Sequence, residues 1–318
     1  MTFRLREADL GDADLGAITA IVNETDPDDP TSVDEMRWSS GAYPGSTRFL
    51  AEADGRLVGT AGVGRIHVLP AEFDGFWATI HVLADARGQG IGSALLTAVS
   101  DRARIAGKTA LHMPASEARP DGIDFLLHRG FREYERSKTV RLELAGRARP
   151  SIDLPDGLRL TTLAQEPALV EGVHAVAIEA FEDIPGGDQP IAPGDLAEFR
   201  KRDVDRPTIP HEAFMIAVET ATDRVVGYAC LLLQPPHLRR IAWHDMTAVA
   251  RDWRGRGLAG ALKRATIAWA IDDGLDLLES GNDTDNLPMR AVNARLGYQP
   301  APDFLVLRGP LFAGIMAR

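Results

Sequence analysis

Two short runs carry the residue types and spacing that could do chemistry. Arg87-Gly88-Gln89-Gly90-Ile91-Gly92 and Arg254-Gly255-Arg256-Gly257-Leu258-Ala259 each put little or no side-chain bulk at alternate positions. With no Cβ in the way, several backbone N–H groups converge on one oxyanion, and a helix starting there adds its partial positive charge. The pattern predicts a phosphate-binding turn. Taken singly, it reads equally as a tight connection from strand to helix. Two other phosphate loops fail on spacing. There is no Gly-x-x-x-x-Gly-Lys-Ser/Thr run, and neither turn has the three-glycine dinucleotide pattern near a domain's first strand.

The turn occurs twice at a fixed offset. Val82 and Val249, Arg87 and Arg254, Gly107 and Gly274, and Gly130 and Gly297 are each 167 positions apart by subtraction. Four coincidences without a gap point to duplication. Residues 55–63 and 223–231 also match, although Gly59 and Gly227 differ by 168; closer to each N-terminus the offset shrinks, which places extra residues in the second copy between its first helix and this strand, around EDIPGGDQPIAPGDL. That Pro/Gly/Asp-rich stretch reads as a loop. Hydrophobic periodicity lapses in AGRARPSIDLPDG, residues 145–157, which predicts a seam and two domains, 1–146 and 157–318.

The elements that must position the turns follow from pattern. Each copy reads helix, strand, strand, phosphate loop, helix, strand, helix, strand. Residues 57–63 and 225–233 run apolar or weakly alternate, and 76–83 and 241–249 supply the strand entering each loop. Ile91, Leu95 and Val99, like Leu258, Leu262 and Trp269, recur at helical spacing. Gly107 and Gly274 fall where a helix C-terminal glycine belongs. The class is α/β.

Composition limits the function. At 318 residues, 45% hydrophobic and 25% charged, the chain has the makings of two well-packed domains. A formal net charge of −11 argues against a general nucleic-acid or anionic-membrane role, since both partners are polyanions. No apolar run approaches the ~20 residues of a membrane span, and MTFRLREADLGDADLG lacks a secretory apolar core, so a cytoplasmic location is expected. The lone cysteine, Cys230, sits in the strand-like VVGYACLLL and reads as a small buried residue. Eight scattered histidines show no metal-ligand spacing, and no Gly-x-Ser-x-Gly elbow holds a nucleophile.

The pattern Arg-x-x-Gly-x-Gly/Ala, with a valine five residues before the arginine, resembles the acetyl-CoA loop of the GNAT superfamily, the GCN5-related N-acetyltransferases. FLLHRGF (125–131) and NDTDNLPMRAVNARLGY (282–298) resemble its later segment ending in Leu-Gly-Phe/Tyr. The resemblance implies two tandem GNAT-like domains, each a mixed, splayed β-sheet flanked by helices, with a slot for the pantetheine arm of acetyl-CoA. It gives Val82 and Val249 the role of offering main-chain groups to pantetheine. Arg87, Gly88, Gly90, Gly92 and Ser93 would form one phosphate cradle, and Arg254, Gly255, Arg256, Gly257, Ala259 and Gly260 the other. Asn286 matches an asparagine near the cofactor, though it also suits a helix cap; 167 positions earlier stands Arg119.

The implied reaction is direct attack of a neutral primary amine of a small molecule on the acetyl thioester. An ammonium of pKa ~10.4 must lose a proton, and the departing thiolate is helped by a proton donor. Where the family often has a tyrosine donor, this chain has Leu126 and Asn293; where it often has a glutamate, Phe76 and Trp243. The remaining ionisable candidates are His244 and Asp245 in the second copy and His81 in the first. Strand alternation lets only one of His244 and Asp245 face the slot. His244 titrates near neutrality but reads equally as a partner-bonded core histidine. A water chain to Glu182 or Asp183 is a further route. The second copy is expected to be catalytic and the first a cofactor-binding or structural partner. Two alternatives stay open: a mycothiol synthase-like member acetylating a cysteinyl amine, and a catalytically silent CoA-binding sensor.

Overall fold

The computed structural model describes residues 2–235 and 239–314, which divide into two compact units. Unit 1 comprises the residues up to Arg136 together with those from Phe304 onward; unit 2 is Ser137–Asp303.

Unit 1 begins with β1 (Phe3–Glu7), α1 (Asp12–Thr25) and α2 (Val33–Ala42), followed by β2 (Thr47–Ala53) and β3 (Arg56–Arg65). Asp54 and Gly55, both at positive φ, make the tight turn joining these two strands. Then come β4 (Gly75–Val82), α3 (Ile91–Ile105), β5 (Ala110–Ser116), α4 (Pro120–Leu127) and the start of β6 (Arg132–Glu143). Leu95, Leu96 and Val99 of α3 are fully buried against Val58 and Ala61 of β3, so the helical spacing seen in the sequence is the buried face. Truncating one such leucine to alanine costs about 2–5 kcal/mol.

Unit 2 repeats the plan with β7 (Leu158–Thr162), α5 (Val170–Glu182), α6 (Leu196–Phe199) running into a π-turn at Arg200–Val204, β8 (Met215–Glu219), β9 (Val225–Leu233) and β10 (Ile241–Val249). It continues through α7 (Leu258–Asp272), β11 (Leu277–Asp283), α8 (Leu287–Arg295) and β12 (Gln299–Pro300). Its sheet runs β7-β8-β9-β10-β11-β6, with β12 also on β6. The last strand of the chain, β13 (Phe304–Pro310), lies in unit 1, where it pairs antiparallel with β5 from Phe304↔Ser116 to Pro310↔Ala110.

The halves have therefore exchanged their final strands. Ser137–Glu143 of β6 pairs antiparallel with β11, and β13 closes the order β1-β2-β3-β4-β5-β13. The compact units thus differ from the sequence halves 1–146 and 157–318, and residues 145–157 lie within unit 2. The physical reason is that duplicated sheets offer equivalent edges, and the apolar pattern of a strand does not say which copy it joins.

Each sheet opens at the same place. β4 and β5 pair in parallel only over Gly75–Trp77 with Ala110–His112, and β10 and β11 only over Ile241–Trp243 with Leu277–Glu279. Beyond those three residues the central strands diverge. In unit 2 the register of β10 against β9 also shifts between His244 and Thr247, a β-bulge just past the point of divergence.

Candidate active site

Both glycine turns join a diverging strand to a buried helix. Gly90 and Gly257 are the N-caps of α3 and α7, at φ of 86° and 84°, and Gly88 and Gly255 both stand at 75°. These left-handed values favour glycine. At all four, nothing lies within 4 Å of where a Cβ would project. The amides of a first helical turn have no intrahelical acceptor, so the turn has donors available to an anion. Each turn is pinned by its arginine: Arg87 Nε donates to Val82 O at 3.1 Å, and Arg254 Nε to Val249 O at 2.9 Å. The two carbonyls expected to meet pantetheine thus already accept a bond.

The other loop residues diverge between the copies. Gly92 packs under Phe125, whose ring a Cβ would meet at 3.2 Å, and Ser93 Oγ accepts from Arg129 at 2.8 Å. At the matching positions Ala259 is half-buried and Gly260 is open except for Arg264, while Arg256 lies 4.6 Å above the Trp253 ring. Asn286 caps α8, its side chain accepting from Met289 N at 3.3 Å.

At the bulge, consecutive residues part company. His244 is buried, with Nδ1 2.7 Å from the Tyr298 hydroxyl and Nε2 hydrogen-bonded to Thr266 of α7. Burial first and Lys263 second hold its pKa well below the usual histidine value. Asp245 lines a cavity of about 130 Å³ with Phe181, Asp203, Tyr228, Cys230 and Met246. Its carboxyl is pushed up by the surrounding protein, against the opposing field of Arg206, although the residue keeps solvent exposure. Asp203, from the π-turn, is also pushed up, to about 7; burial is the main cause and the nearby Asp245 charge adds to it. Like charges sharing a small space cannot both ionise cheaply.

Cys230 Sγ lies 4.0 Å from Asp245 Oδ2, and burial together with that carboxylate pushes the thiol well up. Asp183 accepts from Arg251 at 2.8 Å and Arg254 at 2.7 Å, which holds it near 2, and Glu182 also pairs with Arg251. A carboxylate so held is a poor proton acceptor at neutral pH. Among the described residues, no group of three His, Cys, Asp or Glu side chains could hold a metal ion, and no helix is long and apolar enough to cross a membrane.

Residues 17–131 and 178–298 match the Acetyltransferase (GNAT) family, one region in each half. The chain belongs to that family. No curated protein matches it in sequence. In fold, it is similar to a tandem GNAT protein from the clavulanic acid biosynthesis pathway, solved without AcCoA, at 20% identity and a TM-score of 0.78 over 99% of this chain and 100% of that one. A GCN5-related N-acetyltransferase from Sphaerobacter thermophilus gives 19% and 0.68 over 98% and 97%. The N-myristoyltransferase of Saccharomyces cerevisiae gives 11% and 0.68 over 98% of this chain and 79% of that one. The protein is thus a tandem two-domain GNAT acetyltransferase with the mixed, splayed sheets the resemblance implied.

Within this GNAT fold, the position often filled by tyrosine holds Asn293. It is buried, donating through Nδ2 to Asn282 Oδ1 at 2.7 Å, while its own Oδ1 has no partner among the described residues. Sequence reasoning missed Asp203. It lies in RKRDVDR, a polar run with no motif, and only the π-turn after α6 brings it to β10.

Proposed function

We propose that unit 2 transfers an acetyl group from acetyl-CoA directly to the primary amine of a small molecule, and that unit 1 does not share this reaction. The observation that carries the reading is the cavity holding Asp203 and Asp245 beside the bulge of β10, just past the divergence from β11. A pair of carboxylates attracts an ammonium, and one of them, poised near neutrality, is matched to accept its proton. About 130 Å³ has room for roughly four waters, or for the end of an unbranched amine arm.

The open, positive-φ turn Gly255–Gly257 and the first turn of α7 fit a diphosphate. Acetyl-CoA, when bound, supplies an activated acyl thioester. Asp245 and Asp203 orient the acceptor amine and take its proton. Tyr228 lines the same cavity, and burial keeps its phenol protonated, which leaves an O–H donor close to where charge develops. A thiol held protonated, as Cys230 is, does not act as a relay nucleophile. Thiol release from acetyl-CoA over a panel of primary amines, with wild type and Asp245→Asn, tests the reading. Thiol release that no amine stimulates overturns it.

A further inference from the structure

Unit 1 carries a group that this scheme leaves unused. Arg48 of β2 stands in register with Gly62 of β3, which pairs in turn with Thr79 of β4. Because Gly62 has no side chain, the guanidinium can lie across it: a Cβ there would come within 3.5 Å of Arg48 Nη1 and 3.3 Å of Thr79 Oγ1. Among the described residues the polar contact of Arg48 is a long one, 3.4 Å from Nη2 to Ser39 Oγ of α2. Burial lowers its pKa with no carboxylate opposing the effect. The neighbouring Arg119, by contrast, is neutralised by Asp26, with Asp28 at 4.0 Å.

His81 stands two residues beyond Thr79, and so on the same face of β4. Its Nδ1 is 2.9 Å from Thr25 Oγ1, and that hydroxyl also lies 2.7 Å from Ile21 O and 3.2 Å from Val22 O of its own helix, both of which can only accept. With the hydroxyl donating back to its own helix, Nδ1 carries the ring proton and Nε2 keeps its lone pair, with no partner among the described residues. Burial, with Arg119 and Arg48 adding to it, holds this imidazole down at about 4. It is neutral at physiological pH, an acceptor beside an uncompensated fork of donors. A half-buried guanidinium without a counter-charge is costly. Its planar geometry matches a carboxylate.

We propose that unit 1 binds a small carboxylate that also carries an N–H donor, an amino acid or its N-acyl derivative, with the carboxylate on Arg48 and the N–H on His81 Nε2. The site is independent of transfer in unit 2. Calorimetric titration of the full-length protein with N-acetylglycine and with its neutral amide tests it. The acid should bind roughly tenfold or more tightly than the amide, as expected for a charge-assisted pair. Arg48→Met should remove that preference, and His81→Phe should weaken the acid a few-fold, while acetyl-CoA affinity stays at the wild-type value in both. Arg48→Lys keeps the charge but not the fork; with an unchanged melting temperature it should still lose several-fold, which separates recognition from misfolding. Equal binding of acid and amide, binding of neither at millimolar concentration, or wild-type affinity in the Met or Lys variant overturns the proposal.

Discussion

His244 Nδ1 lies 2.7 Å from the hydroxyl of Tyr298, which ties β10 to the residue immediately before β12. With Nε2 bonded to Thr266 as well, the ring has no nitrogen left for an acceptor amine. His244→Ala should therefore act on stability, costing about 2–4 kcal/mol through a cavity and orphaned hydroxyls. Thermal melting and kcat on the same sample check this: a lower Tm with kcat within a few-fold of wild type is expected below the transition.

The paired carboxylates should behave in the opposite way. Asp203→Asn and Asp245→Asn are each expected to lower kcat by ~10²–10⁴-fold while acetyl-CoA affinity holds. Because Asp203 sits near 7, wild-type kcat/KM should rise through that pH. The Asp203→Asn profile should lose this limb. An unaltered limb in a folded Asp203→Asn protein would place the base elsewhere.

For the loops, the expectation concerns affinity and division of labour. Gly257→Asp introduces strain at a φ of 84° and a negative charge where an anion is expected. It should abolish acetyl-CoA binding in unit 2 and turnover with it. Gly90→Asp, at 86°, should leave most turnover intact. Calorimetry with acetyl-CoA and steady-state rates on both variants decide the matter; loss of activity in a folded Gly90→Asp protein reverses the assignment.

Lys263 is fully buried, its ammonium 3.2 Å from Ser280 Oγ, and burial brings its pKa down to about 7. Between pH 7 and the ordinary lysine value of 10.5, the unfolded chain binds the extra proton. Stability contributed through this group therefore rises with pH over that window and is lost as pH falls toward 7. Lys263→Met should raise Tm most at pH 6–7 and least above pH 10. A Tm difference independent of pH would contradict the linkage.

Cys230→Ala should keep turnover within a few-fold, and acid-quenched wild-type reactions analysed by mass spectrometry should show no acetylated Cys230. A trapped thioester on that residue would replace direct transfer with a two-step route.

Local features were legible in the sequence because short-range physics decides them. The strands expected at 225–233 and 241–249 are β9 and β10 residue for residue, and Gly107 and Gly274 take left-handed φ of 73° and 72° after α3 and α7. His244 and Asp245 meet different partners, as neighbours on an alternating strand do. Pattern alone could not say which of them met the cavity, because the answer rests on Thr266 and Tyr298, distant in sequence. Asp203 and Arg48 were invisible for a similar reason: neither belongs to a motif, and each matters only through what a π-turn or a missing side chain at Gly62 puts beside it.

The exchanged strand has a consequence for how the molecule is made. β5 ends at Ser116, but its partner β13 begins only at Phe304, so during synthesis the edge of β5 waits unpaired while all of Ser137–Asp303 leaves the ribosome. Unit 2 is one continuous segment and can close first, the reverse of the usual N-terminal-first order. Unit 1 then finishes by a pairing of high contact order, intrinsically slow. Until that moment it offers a bare sheet edge to any other nascent chain, and a stop codon placed at the sequence seam would leave that edge open for good.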